Sequence, residues 1–247
     1  MAFIQLAATL LVMGFLYLRM IKREVPSPVK APQAIVPVVL GVISVLLSFG
    51  LFLGIGYGLK GLGYSSEGQS MVLHSVTASF FMAGLPEETM KFLMMLVTIL
   101  IFKKKIRNVY ELILIGTAVG FGFAMFEEFN YGSASIVTNI IRLLTVPAHS
   151  IFGIIMMKHL GTAVYNKRNG LGHVGQEILL GILLPIAIHT LFDSCNGNNM
   201  LLRSEDNKMV VIGMVISFAA FAAMFALQVV LLVRMKKQVG KYCAMQF

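Results

Sequence analysis

Charge is scarce in this chain. Asp, Glu, Lys and Arg supply 13% of its 247 residues, hydrophobic types supply 57%, and the mean hydropathy is +0.84. A soluble globular domain carries about a quarter of its residues as charges, so that class is excluded. Cysteine is almost absent. Cys195 and Cys243 cannot build a disulfide framework, and neither has a metal-ligand partner at useful spacing. The signatures of soluble hydrolases and nucleotide-binding enzymes (HExxH, GxSxG and the glycine pattern of a P-loop) are missing, as are internal repeats and low-complexity tracts. No basic stretch precedes the first apolar run. The positive charge follows it, at Arg19, Lys22 and Arg23, which is the reverse of a cleavable signal peptide, so a retained first span is expected.

What is present is apolar length. Runs at about 2–20, 34–58, 71–102, 109–129, 136–160, 177–195 and 209–233 read as seven helices of membrane-spanning size. The expected fold is all-α: a polytopic membrane helix bundle of about seven transmembrane helices, forming one domain over 1–247 with a catalytic core at about 71–195. Fifteen of the twenty Lys and Arg fall in four clusters: Arg19 to Lys30, Lys103 to Arg107, Lys158 to Arg168, and Arg234 to Lys241. These follow the first, third, fifth and seventh runs. They read as anchors at a cytoplasmic interface rather than as contacts to nucleic acid, placing the N-terminus outside and the C-terminus in the cytoplasm. The two cysteines then sit on opposite sides of the bilayer.

The third run is too long for a simple span, and Pro86 predicts a kink or break within it. Small residues at every fourth position, in Gly50, Gly54 and Gly58 and again in Gly116 and Gly120, predict close helix approach.

Five of the eleven acids lie within or at the edge of apolar runs: Glu87, Glu88, Glu127, Glu128 and Asp193. His149 and His189 join them there, together with Lys91. Ionisable groups at membrane depth cost several kcal/mol each unless they face one another or a water-filled cavity, so they mark a functional site by default. Carboxylates and imidazoles are also what water activation needs. Helical spacing pairs Glu87 with Lys91 and His189 with Asp193, and sets Phe123 on the face of Glu127. Glu88 points about 100° from Glu87, toward a neighbouring helix, and Glu128 reads as interfacial. The bland alternatives are a structural ion pair at Glu87 and a helix-to-helix hydrogen bond at His149. His74, His159 and His173 read as loop or interface residues without a role.

In chain order, EETMK at 87–91, FAMFE at 123–127, VPAHSIFG around His149 and HTLFD at 189–193 resemble the EExxK, FxxxE, histidine-centred and HxxxD motifs of the PrsW family of intramembrane proteases, distant relatives of the CAAX prenyl-protease and bacteriocin-processing membrane proteins. The resemblance covers about 87–193. It departs from the family at Glu128, where Asn is usual. It implies a multi-pass protease of a bacterial plasma membrane that cuts single-pass membrane proteins, such as anti-sigma factors, near their extracytoplasmic face. It also implies Glu87, Glu88, Glu127, His149 and His189 as catalytic residues, supported by Lys91 and Asp193.

Two mechanisms fit these residues. Without metal, Glu87 activates water while His149 and His189 stabilise the oxyanion and protonate the leaving amine. With zinc, His149, His189 and Glu127 are the ligands and Glu87 is the base. No two histidines sit at ligand spacing on one helix, which favours the metal-free reading. A non-catalytic scaffold, or a proton-coupled transporter with a buried Glu/His network, is the alternative from a different class.

Overall fold

A computed structural model describes residues 2–22, 29–131 and 142–247. Arg23 and the expected start of the fifth run at 136 lie outside the described residues. The helices are α1 (Ala2–Ile21), α2 (Ala31–Gly61), α3 (Met71–Ser79), α4 (Leu85–Phe102), α5 (Val109–Tyr131), α6 (Pro147–Arg168), α7 (Val174–Cys195) and α8 (Asn207–Ala244). A helical turn at 142–145 precedes α6, and a short 3-10 helix, Met200–Arg203, joins α7 to α8. Six of the helical segments are long and apolar enough to cross a membrane. α3 and α4, joined by a π-turn at Phe80–Gly84, form one further continuous helical segment over the expected third run.

That π-turn is how the chain accommodates Pro86. Proline has no N–H to return to the preceding turn, and the backbone widens just before it, with the N–H of Leu85 bonding to the carbonyl of Phe80 five residues back. The helix continues without a break and places Glu87 and Glu88 in the first turn of α4.

α5 is the axis of the bundle. Its most apolar stretch is 83% buried, against 11% for that of α8, which turns its side chains to lipid. α1, α2, α4 and α6 pack around α5, and α7 packs on α4 and α6. Two glycines set the contacts that matter for the polar residues. A Cβ on Gly120 would fall on the backbone of His149, so α5 and α6 touch backbone to backbone there. One on Gly84 would strike Thr190, bringing the π-turn against α7. The expectation for α2 is not met. At Gly50, Gly54 and Gly58 an added Cβ would have nothing within 4 Å among the described residues.

The basic clusters converge on one end. The backbone N–H of Phe247 donates to the carbonyl of Arg107 (2.8 Å), that of Val109 donates to Met245 (3.1 Å), and Arg168 lies over the Phe247 ring at 5.7 Å. The hydroxyl of Tyr110 donates to the carbonyl of Met20 at 2.9 Å, tying in the end of α1. Cys195 and Cys243 close α7 and α8 at opposite ends. α8 continues to Ala244, past the expected limit of 233, because a helix with Lys and Arg in its last turns needs no apolar surroundings.

Candidate active site

Four segments of helix bring the polar residues together in the half of the bundle far from its basic end. Glu88, on α4, is fully buried, and its Oε1 accepts from Lys91 Nζ and from His189 Nδ1, each at 2.7 Å. Lys91 is also fully buried. Its ammonium lies 3.5 Å from Glu87 Oε2, 3.0 Å from His149 Nδ1 and 3.7 Å from the centre of the Phe123 ring. A lysine at this depth is stable only with such neighbours, two carboxylates and the negative face of an aromatic ring.

The imidazoles are oriented by these contacts. An ammonium can only donate, so His149 accepts at Nδ1 and carries its proton on Nε2, which faces Glu127 Oε2 at 2.5 Å. His189 donates from Nδ1 to Glu88 and turns Nε2 toward Asp193 (3.5 Å) and Glu87 (3.9 Å). The ring of Phe152 stacks on His189 with centroids 5.3 Å apart. The expected pairing of His189 with Asp193 is present, but the closer carboxylate is Glu88, from another helix.

Glu128 is buried in the protein at 2% exposure, accepts from Arg142 Nη2 at 2.6 Å and from Gln5 Nε2 at 2.8 Å, and so ties α1 to the site. Arg142 also donates to Glu127 at 3.3 Å. Sequence reasoning missed Arg142 and Gln5. Both carried a signal, since a polar side chain in an otherwise apolar run needs a partner. His159, read as interfacial, lies within α6 and faces Glu177 at 2.6 Å.

A cavity of about 620 Å³ reaches this cluster from the end opposite the basic one. Glu87, Glu127, Arg142 and Asp193 line it, together with the turn at Asn196 to Asn198. Glu87 is 18% exposed there, whereas Glu88 and Lys91 behind it are fully buried, which separates a layer facing the cavity from a layer packed behind it.

One ligand atom each from Glu87, Glu88 and His149 lies within 4.8 Å of the others, so by distance these three could hold a metal ion. This differs from the expected set of His149, His189 and Glu127. The donor chemistry does not fit an ion as the side chains stand. His149 has its two ring nitrogens engaged, by Lys91 and by Glu127, and the Lys91 ammonium already supplies a positive charge between Glu88 and His149.

Residues 32–232 match a family model described as PrsW family intramembrane metalloprotease. Protease PrsW of Shouchella clausii is 30% identical over 124 residues, covering 49% of this chain and 54% of that protein. Protease PrsW of Halalkalibacterium halodurans is 32% identical over 87 residues, 34% of this chain and 39% of that protein. The chain thus aligns with about half or less of the length of these curated relatives. No solved structure gives a significant match. Both relatives are bacterial, and with its apolar helices the chain is a multi-pass protein of a bacterial plasma membrane. The family match spans most of the chain and takes in all four motifs, and the chain belongs to the PrsW family.

Proposed function

We propose that this protein is an intramembrane endopeptidase that hydrolyses a peptide bond in single-pass membrane proteins close to their extracytoplasmic boundary, the type of cut made in anti-sigma factors. The observation that carries the reading is the layering at Glu87. This carboxylate faces a cavity open to one end of the bundle, and directly behind it a buried Lys91–Glu88–His189 network fixes the surrounding groups. Family membership supports the endopeptidase assignment.

In this reading Glu87 takes a proton from water as the water oxygen attacks the scissile carbonyl carbon. The negative charge that develops on the carbonyl oxygen is stabilised by the Nε2–H of His189 as an imidazolium, which Glu88 orients through Nδ1, while His149 holds Glu127 at the wall of the cavity. When the C–N bond breaks, the proton held by Glu87 passes to the leaving amine, and the carboxylate is restored. Lys91 and Glu88 hold the geometry, with the Lys91 ammonium reaching the Glu87 carboxylate at 3.5 Å. Residues from about 71 to 195 form the catalytic core.

The spacing of Glu87, Glu88 and His149 favours a second reading, in which those groups bind zinc and the reaction is metal-assisted. The engaged nitrogens of His149 weigh against it. The deciding experiment reconstitutes the full chain in liposomes with a tagged single-pass substrate and compares wild type with Glu87→Gln. Release of an ectodomain by the wild type alone supports the endopeptidase. Equal release by both removes Glu87, and no release by either points to the scaffold or transporter class.

A further inference from the structure

The basic end of the bundle holds a second built space. A cavity of about 290 Å³ lies between α1, the start of α2, the turn after α4 and the first turns of α5. Its inner wall is apolar, formed by Phe102, Leu114 and Ile115 with the ring of Tyr17. Its rim carries four cations, Lys30, Lys104, Lys105 and Arg107, and one acid, Glu111. Glu111 accepts from the backbone N–H of Arg107 at 2.5 Å, and with four cations against this one carboxylate the rim keeps a net positive charge. Lys105 places its ammonium 5.7 Å from the Phe102 ring, at the join between the two surfaces.

We propose that this cavity binds the headgroup of an anionic phospholipid, with the phosphodiester among the four cations and the upper acyl chain against Phe102, Leu114 and Ile115. Position argues for a lipid over a soluble anion. The cations sit where α4 ends and α5 and α2 begin, which is the level of the phosphate layer, while the apolar wall runs from there toward the hydrocarbon. A free phosphate would use the rim and leave the wall unoccupied; a phospholipid matches both. Topology alone asks only that cations be present at this end. It does not ask that four of them surround one recess with an apolar floor, as they do here, whereas a neighbouring groove of about 270 Å³ on α1 and α8 has only Arg19 and Lys236.

The test reads binding, so it is independent of whether the protein is a protease. The full chain is purified in detergent and its retention of phosphatidylglycerol is measured by native mass spectrometry, against phosphatidylcholine with the same acyl chains. Wild type is expected to retain one phosphatidylglycerol with about tenfold or greater preference. Lys30→Gln/Lys104→Gln/Lys105→Gln should lower that retention by about tenfold or more, and Lys237→Gln/Lys241→Gln, which removes charge at the same end but outside the cavity, by less than about twofold. Thermal melting without added lipid checks that both variants fold. Equal losses in the two variants, no preference between the lipids, or displacement of phosphatidylglycerol by soluble glycerol phosphate would each overturn the assignment, the last by pointing to a soluble phosphate ligand.

Discussion

The ammonium of Lys91 lies 3.0 Å from Nδ1 of His149, across the gap between α4 and α6. The same ammonium touches Glu88 at 2.7 Å, so one fixed positive charge stands between the groups best spaced to hold a metal ion. The protein carries its own cation there. The purified protein is therefore expected to contain well under one equivalent of zinc, and the proposed cleavage is expected to survive strong chelators. Elemental analysis that finds close to one equivalent, lost together with activity in His149→Ala, would reverse this reading.

Lys91→Met tests the supporting layer directly. It leaves Glu88 as a buried carboxylate with only His189 for compensation, and breaking a buried ion pair from one side costs about 3–5 kcal/mol. Both cleavage and the melting temperature should drop. If melting is unchanged, Lys91 is not what stabilises Glu88.

Glu87→Gln should behave differently. The side chain is partly exposed to the cavity and its contact with Lys91 is long, at 3.5 Å, so loss of its charge leaves little unpaired in the interior. As a general base, its loss should lower the cleavage rate by about 10²-fold or more with melting nearly unchanged. A variant that retains wild-type cleavage would exclude Glu87 from the chemistry.

The contrast between these two variants shows what a sequence can and cannot disclose here. The all-helical bundle with six segments long and apolar enough to cross a membrane follows from hydropathy, and helical spacing correctly sets Glu87 near Lys91 and His189 near Asp193. Spacing along one helix cannot say which other helix lies opposite. That Glu88 meets His189, 101 residues on, depends on Gly84 letting the π-turn approach α7, and the turn itself depends on how the backbone absorbs Pro86. The glycine pattern of α2 misleads for the same reason. It permits a close neighbour but does not supply one. Glu128 reads as interfacial because it is near the end of a run, and only the packing of Gln5 and Arg142 around it makes it a buried charge.

Glu128 and Arg142 form a pair whose energetics can be separated. Among the described residues, Arg142→Met leaves a buried carboxylate with Gln5 as a neutral hydrogen-bond donor, and should lower the melting temperature by several degrees. Adding Glu128→Asn, which keeps a polar side chain at the position, removes the charge that Arg142 compensates. The double variant should regain about half or more of the lost stability, since removing both partners of a buried pair costs less than removing one. Additive losses would mean that the two side chains do not depend on each other.

The site's depth fixes where a substrate should be cut. At about 1.5 Å per residue, Glu127 stands roughly 27 Å along α5 from Val109, His189 roughly 22 Å along α7 from Val174, and Glu87 roughly 22 Å along α4 from Phe102, all counted from the basic end. A hydrocarbon core is about 30 Å thick, so these residues share the half away from the basic clusters, where the cavity beside Glu87 and Asp193 opens. If the basic end faces the cytoplasm, water reaches Glu87 from outside, and a substrate helix need unwind only its outermost turn to present a peptide bond. Mass spectrometry of the products is expected to place the new termini at or just inside the extracytoplasmic boundary of the substrate's span, with its ectodomain released. A cut near the cytoplasmic end of that span would require a site at the basic end of the bundle, some 20 Å or more from Glu87 by the same count, and would show that the orientation or the site assignment is wrong.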